Sequence, residues 1–347
     1  MLYIHRFSCI SPQQTFPEAD LEVLNESADN KLKVTEPKYP GISESMLRRM
    51  GKAVRLGVGS ALPLLMSTKK PNGIIIGTAN GGMEDCIKFL NQIIEYDEGL
   101  LTPTNFVQST PNAISAQIGL LTSDKGYNIT HVHRGLAFEN ALRDAAMMLK
   151  EDPSTCYLLG AVDEISSYNF NIDFLAGWYK KEPVSNQDLF DSVTAASIAG
   201  EGATMFQVDI NEEAALAKIE DVILFHTEDA SVVKERMKDF IKKNIGPTNP
   251  VDLFISGENG DIRMKKLYED CEAELSHNST IARFKHMCGE YPTASAFAVW
   301  LAVYILQTQK IPGHMIKQKG TGNNTVKTIL IYNNYKGLQH SFILLSK

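Results

Sequence analysis

The sequence predicts an α/β protein in which two similar halves each build a mostly parallel, buried sheet covered by helices. Two observations support this fold class. Short apolar runs typical of buried strands alternate with segments of helical periodicity, and this alternation begins a second time near residue 210. Residues 1–210 are therefore assigned to an N-terminal half and residues 211–347 to a C-terminal half. No clean linker separates them, so we expect the halves to pack together.

The elements of each half follow from local pattern. Apolar residues four to eight in a row indicate buried strands, and apolar spacing of three and four indicates helices. In order, the sequence predicts a strand over 73–77, a helix over 83–96, a loop over 102–108, a helix over 112–121, a strand over 127–133, a helix over 136–150, a strand over 156–160, strands over 219–225 and 251–256, a helix over 294–306, and a terminal pair of strands over 328–332 and 341–345. The polar stretches 30–50 and 180–192 are predicted to be irregular surface excursions.

Composition and charge narrow the class of function. The chain of 347 residues has a net charge of −7 and lacks a long Lys/Arg block, which argues against nucleic acid as a partner. Its five cysteines are scattered without CxxC spacing, which indicates reduced thiols and a cytoplasmic location. The start of the chain shows no secretory signal pattern. The longest apolar run, 294–306, is shorter than the ~20 residues a membrane span needs, so no span is predicted.

The most informative segment is a strand, a sharp turn and a helix over residues 126–150. The strand ends near His133, the turn contains Gly135, and the following helix places Ala141, Leu142 and Ala145 on one face. This arrangement resembles the nucleophile turn of β-ketoacyl-acyl-carrier-protein synthases, the enzymes that condense acyl thioesters. In that family the turn carries a cysteine, and here glycine stands in its place.

Further segments resemble the same family in the right order. They are Asn112-Ala113 at a helix start, the strand exit LGAVDE at 159–164, the FD…GEGA pattern of 190–191 and 200–203, the segment KHMCGE at 285–290, and the closing stretch 333–345. The resemblance covers about residues 70–347. It implies a thiolase-like fold, two pseudo-repeated βαβ halves in five layers (αβαβα), and a dimeric assembly.

The same resemblance shows where the chain departs from an active condensing enzyme. The cysteine position is Gly135, and no cysteine lies between residues 87 and 155. The turn that carries the family's first catalytic histidine corresponds to 255–261, with Gly257 and Glu258, and no histidine lies between 226 and 277. Glu290 stands where the second histidine is expected, and only Lys285 of the family's polar set is retained. The resemblance therefore implies a degenerate ketosynthase of the chain-length-factor type.

Two other groups of residues are candidate functional positions. In the resembling family, the loop that corresponds to Thr104, Phe106, Val107 and Gln108 lies at the dimer interface beside the partner's acyl tunnel, while simple core anchoring of Phe106 remains the alternative. His131 and His133 would share one face of a strand and form a polar site with Arg134. That spacing suits a metal, but no third ligand is evident, so we predict neither a metal nor a cofactor.

Three hypotheses for the function follow. In the first, the chain pairs with an active ketosynthase subunit and an acyl carrier protein, and shapes product length in fatty-acid or polyketide-type biosynthesis, with aryl-polyene pigments as the expected setting. In the second, it is an enzyme with residual acyl-transfer or malonyl decarboxylation activity, using Lys285, Glu290 and His131 or His133. In the third, it is a homodimeric acyl-binding protein. A homodimer and a heterodimer both remain open.

Overall fold

The computed structural model describes residues 2–39, 41–66, 70–246, 251–322 and 325–347. Its strands are β1 (Leu2–Ile10), β2 (Lys31–Leu32), β3 (Gly73–Gly77), β4 (Tyr127–His131), β5 (Tyr157–Asp163), β6 (Ala199–Gly200), β7 (Gly202–Asp209), β8 (Ala217–His226), β9 (Leu253–Ser256), β10 (Thr280–Arg283), β11 (Ile316–Gln318), β12 (Thr328–Tyr335) and β13 (Gln339–Ser346).

The helices are α1 (Glu44–Leu47), α2 (Lys52–Leu65), α3 (Met83–Glu95), α4 (Pro103–Gln108), α5 (Ala113–Thr122), α6 (Ala137–Glu151), α7 (Ser167–Leu175), α8 (Ala230–Asn244), α9 (Ile262–Glu272), α10 (Lys285–Cys288) and α11 (Ala294–Thr308). The apolar segment predicted at 294–306 is α11, and most of its residues are buried. Within the described ranges, none of these helices is long and apolar enough to cross a membrane.

Eleven strands form one mixed sheet in the order β11-β10-β9-β12-β13-β8-β1-β7-β5-β3-β4. Within this sheet, as far as the described residues show it, the parallel pairings are those of β3 with β4 and β5 and of β9 with β10 and β12. The expectation of a mostly parallel sheet is therefore wrong. One antiparallel pairing is the hairpin of β12 and β13, and the pairings of β1 with β7 and β8, of β5 with β7 and of β8 with β13 join strands that are distant in the chain.

The sheet divides at the pairing of β1 with β8, which joins only Leu2–Ile4 to 217–219. Strands from before residue 210 lie on one side of this pairing and the later strands on the other. The large hydrophobic core between the two groups of strands contains the inner faces of α6 and α11. Helices α2 and α5 cover the first group from outside, and α8 and α9 cover the second. These layers confirm the predicted thiolase-like αβαβα architecture.

Several elements depart from the sequence prediction. β1 lies in the middle of the sheet although it was not predicted, and the polar stretch 180–192 contributes buried groups. Lys180 donates to the Gly260 carbonyl and to the Ser192 hydroxyl, while Asn186 donates to the carbonyls of Asn25 and His286. The stretch 180–192 is irregular and most of its residues are exposed or half-buried, as predicted, but Lys180, Asn186 and Leu189 are buried. The two polar side chains among them satisfy buried backbone groups.

A single buried carboxylate joins the two halves beside the site described below. Asp163 Oδ1 accepts hydrogen bonds from the Thr78 hydroxyl and from the backbone N–H groups of Ala79 and Asn80, at 2.8–3.1 Å. Its Oδ2 accepts from the N–H and hydroxyl of Thr293, at the start of α11. Asp163 thereby fixes the loop after β3 against the central helix of the C-terminal half.

Candidate functional site

The strand-to-helix turn of the N-terminal half has its sharpest point at Arg134. β4 ends at His131, and one 3₁₀ turn over Arg134–Leu136 leads into α6. Arg134 has a φ of +48°, in the left-handed region that non-glycine residues rarely adopt. Nucleophile turns place the reactive side chain at such a strained point. At this turn the side chain is a guanidinium, and the next residue is Gly135.

The aromatic residue Tyr335 occupies the volume that a side chain on Gly135 would need. A Cβ atom on Gly135 would lie 2.1 Å from Cβ of Tyr335, far inside van der Waals contact. The Gly135 N–H donates to Oε1 of Gln339 at 2.9 Å. Neither Arg134 nor Gly135 can form a thioester, and the packing at Gly135 leaves no room for a cysteine.

The C-terminal half contributes a closed polar cluster of Lys285, Glu290 and Asn259. The fully buried Lys285 ammonium contacts Glu290 Oε1 at 2.7 Å, and the Asn259 amide donates to Glu290 Oε2 at 2.7 Å. Both carboxylate oxygens therefore have partners. The sequence analysis did not single out Asn259, although it lies in the segment expected to carry the family's first histidine.

The two positions that the sequence analysis named in that segment are engaged elsewhere. Glu258 pairs with Lys317 at 2.6 Å and with Arg283 at 3.6 Å. Gly257 donates its N–H to the Tyr332 carbonyl, and a Cβ there would lie 2.7 Å from Oδ1 of Asn333. These contacts direct Glu258 away from the Lys285–Glu290 pair and leave Asn259 facing that pair.

Little space remains between the turn and this polar cluster. The void bordered by Tyr335, Asn259 and Glu290 has a volume of only about 10 Å³. That is roughly the smallest volume that holds one water molecule. This void is therefore too small to hold an acyl group.

A larger cavity opens on the other side of Tyr335. Its volume is about 540 Å³, within the range of small-molecule pockets. Arg134, His133 and Asn169 supply polar groups, and Met83 and Ile172 contribute to the apolar wall. The remaining described lining residues are Ala79, Asn80, Val132, Asp173, Pro292, Tyr335 and Gln339. We call this space the Arg134 cavity.

The predicted polar site of His131, His133 and Arg134 is not one cluster. His131 Nε2 lies 2.9 Å from the Asp144 carboxylate, whereas His133 follows the end of the strand and packs edge-on against His226. The expectation that both histidines share a strand face is wrong because β4 ends at His131. Among the described residues, no group of three or more metal-ligating side chains comes together.

The segment 102–108, predicted as loop, contains the short helix α4, which packs beside α3. Phe106 is 59% and Val107 66% exposed, and the Phe106 ring contacts Phe89 at a centroid distance of 5.2 Å. Gln108 is buried and hydrogen-bonded to the backbone of Gly51 and Arg49, and Thr104 lines a separate cleft. Phe106 and Val107 are thus the members of this group that present apolar surface to solvent.

The turn itself contains no cysteine, and Cys86, on α3, is the one cysteine that is only half-buried. Cys9, Cys156, Cys271 and Cys288 are buried. Burial raises the pKa of the Cys9 and Cys271 thiols to about 12 and also raises the pKa of Cys288. These three thiols stay protonated at neutral pH and are poor nucleophiles.

Comparison with known proteins agrees with this geometry. Residues 24–171 match the family model described as the N-terminal domain of beta-ketoacyl synthase. No curated protein sequence matches the chain. The chain is therefore ketosynthase-like over this segment, as its motifs predicted.

Solved structures extend the likeness to the whole fold. A beta-ketoacyl synthase from Burkholderia phymatum superposes with a TM-score of 0.77 at 13% identity, covering 100% of this chain and 99% of the other. The ishigamide ketosynthase/chain length factor gives 0.76 at 13% identity, with 100% and 98% covered. A ketosynthase in complex with its chain length factor from Xenorhabdus doucetiae gives 0.74 at 11% identity, with 99% and 97% covered. At these identities the likeness establishes the thiolase-like fold.

Proposed function

We propose that this chain is a chain-length-factor-type subunit that pairs with an active ketosynthase and carries out no condensation itself. The observation that carries the proposal is the strained turn at Arg134 and Gly135, which has no thiol and no space for one beside Tyr335. A condensing enzyme needs a nucleophile there to accept the acyl chain. The chemistry would therefore belong to a partner, with an acyl carrier protein as the source of acyl groups.

The polar cluster of the C-terminal half supports the same conclusion. Condensation requires donors directed at the charge that develops on the thioester carbonyl. The Lys285 ammonium and the Asn259 amide instead donate to Glu290, and burial favours keeping this ion pair closed. Residual decarboxylation with His131 would also need Asp144 to release that histidine.

The edge of the sheet supplies a surface for the partner. β4 is the terminal strand of the order given above, and its outer edge has no strand partner among the described residues. Leu120, on helix α5 that packs against β4, is 75% exposed, and Phe106 and Val107 on α4 are further exposed apolar side chains of the same half. An unpaired strand edge with apolar surroundings is prone to pair with another chain. We define the partner face as β4, Leu120, Phe106 and Val107.

The fold-level neighbours add a precedent for such pairing. One of them is described as a ketosynthase in complex with its chain length factor, and another as a ketosynthase/chain length factor. By analogy, the partner of this chain would be a ketosynthase that retains its cysteine, in fatty-acid or polyketide-type biosynthesis. Aryl-polyene pigment formation is the pathway we propose first.

The test is reconstitution with candidate ketosynthases from the same genome. We expect one of them to form a heterodimer with this chain, detected by native mass spectrometry, and to extend malonyl-carrier protein only when the chain is present. Leu120→Glu places a charge on the partner face and should abolish the heterodimer. Ile262→Glu, on the outer helix α9, is the matched control and should leave it intact.

Other results would reject the proposal. If the purified chain alone releases carbon dioxide from malonyl-carrier protein, and Lys285→Ala stops it, the chain is an enzyme. A stable homodimer that excludes every candidate ketosynthase would instead identify a homodimeric acyl-binding protein.

A further inference from the structure

The lining of the Arg134 cavity is apolar on one part and positively charged on another. Pairing with another subunit does not explain this distribution. One part of its lining is apolar, formed by Met83, Ile172 and Pro292 among others, and the other part carries Arg134 and neutral amides. The cavity's own carboxylate, Asp173, is paired with Lys336 at 2.5 Å and does not neutralise Arg134. The cavity thus combines an apolar wall with one uncompensated positive charge.

Arg134 is held at the cavity in an unfavourable backbone conformation. Its φ of +48° costs free energy for a residue with a long side chain, and such strain persists where surrounding structure imposes it. Its guanidinium makes no hydrogen bond or ion pair with any residue in the described part of the chain. Five N–H donors are therefore available to a ligand.

Two further polar groups around the cavity lack protein partners. Tyr335 is only 7% exposed, yet its hydroxyl forms no hydrogen bond within the described ranges. The Nδ2 atom of Asn169 is buried and has no hydrogen-bond partner there either. Buried polar groups are usually satisfied, and each exception calls for a ligand, a water molecule or another explanation.

We propose that the Arg134 cavity binds a free carboxylic acid with an apolar body. The carboxylate pairs with the Arg134 guanidinium, for which its planar, two-oxygen geometry is well suited. The Tyr335 hydroxyl is the donor that completes its polar end. The apolar body lies against Met83 and Ile172.

A monoanion fits this cavity better than a phosphate does. Arg134 is the one unpaired cation that lines the cavity within the described chain, and a phosphate dianion would retain an uncompensated charge beside an apolar wall. The inference goes beyond the proposed function, because binding needs neither a partner subunit nor a thioester. A chain that fails to pair with a ketosynthase would still bind the acid.

The experiment measures binding of octanoate to the full chain by isothermal titration calorimetry, with 1-octanol and inorganic phosphate as comparison probes. Arg134→Asn is the informative variant, because asparagine tolerates the left-handed backbone and removes the guanidinium. Arg143→Gln, on the exposed face of α6, is the control. We expect octanoate to bind, and Arg134→Asn to weaken it by about tenfold or more while leaving the melting temperature unchanged or raised.

Tyr335→Phe removes only the hydroxyl and should weaken octanoate binding by about two- to tenfold, as expected for one hydrogen bond. The control Arg143→Gln should bind as the unmodified chain does. The proposal is overturned if octanoate fails to bind at millimolar concentration, if 1-octanol or phosphate binds equally well, or if Arg134→Asn keeps full affinity.

Discussion

Substituting Gly135 tests whether packing closes the position that the family resemblance assigns to the nucleophile. In Gly135→Ala, the new Cβ would approach Tyr335 Cβ, Cγ and Cδ1 at 2.1, 2.5 and 2.9 Å. Overpacking a core typically costs ~1–3 kcal/mol, and so close an approach belongs at the upper end. Replacing glycine returns ~0.4–1 kcal/mol through the unfolded chain. We therefore expect a net loss of about 2 kcal/mol in the free energy of unfolding.

Because the nearest clashing atom is Cβ of Tyr335, truncations of Tyr335 to alanine and to glycine should differ in how much strain they relieve. Tyr335→Ala removes Cγ and Cδ1 but keeps Cβ, so it should relieve only part of the strain. Tyr335→Gly removes all three atoms and should reduce the cost of Gly135→Ala by at least ~1 kcal/mol, a coupling expected of residues in direct contact. Urea denaturation of the single and double variants, at constant m-value, measures the change in the free energy of unfolding of each variant and hence the coupling energy between the two positions.

Two outcomes would refute this reasoning. If Gly135→Ala lowers the free energy of unfolding by less than ~0.5 kcal/mol, the substitution causes no packing clash. An equal loss in the Tyr335→Gly background would show that Tyr335 is not the obstacle. The same packing predicts that Gly135→Cys gains no condensing activity, since its thiol would be displaced and no histidine faces Glu290 within the described site.

Three further predictions concern acyl transfer, product length and pH. Incubation with acyl-carrier protein or a cerulenin-like electrophile should leave the intact mass unchanged, and a stoichiometric adduct on any cysteine would contradict this. In the reconstituted pair, Phe106→Ala should lengthen products by a few carbons with little change in melting temperature, because the ring is 59% exposed; an unshifted profile with a large thermal loss would assign Phe106 to the core. Burial and the nearby Asp85 raise the pKa of Glu164 from 4.5 to about 7. The folded chain then holds a proton that the unfolded chain releases, so stability should fall by up to about 3 kcal/mol as pH rises from 4.5 to 7. Glu164→Gln should flatten this fall in urea titrations across that range, and an unchanged pH profile would contradict the assignment.

Sequence reasoning located the turn and the fold because both depend on local pattern. The helix after Gly135 keeps its apolar face, and α11 is apolar all round, so their burial could be predicted. The absence of a cysteine from the turn was also visible in the sequence. The reason that no cysteine fits was not visible, since Tyr335 reaches Gly135 from a position 200 residues away in the chain.

The other features that the sequence did not predict also have specific physical causes. β1 mixes polar and apolar residues and lacks a strong strand signal, yet pairing with β7 and β8 makes it central. α4 has six residues, too few for a helical period to emerge, and begins with Pro103. Asn259 could not be predicted from the sequence because its hydrogen bond to Glu290 joins residues that are 31 positions apart in the chain.

The hydrogen bonds of Asp163 explain how a ketosynthase-like chain can lack catalytic residues and still keep its fold. This carboxylate holds the Ala79–Asn80 wall of the Arg134 cavity to the start of α11, and none of its five donors comes from positions 135, 257, 258 or 290. Replacements at those positions would remove none of these donors. Descent from a condensing ancestor would thus have required no rebuilding of the scaffold. A pocket whose walls are held independently of its former reactive groups is free to acquire a different ligand.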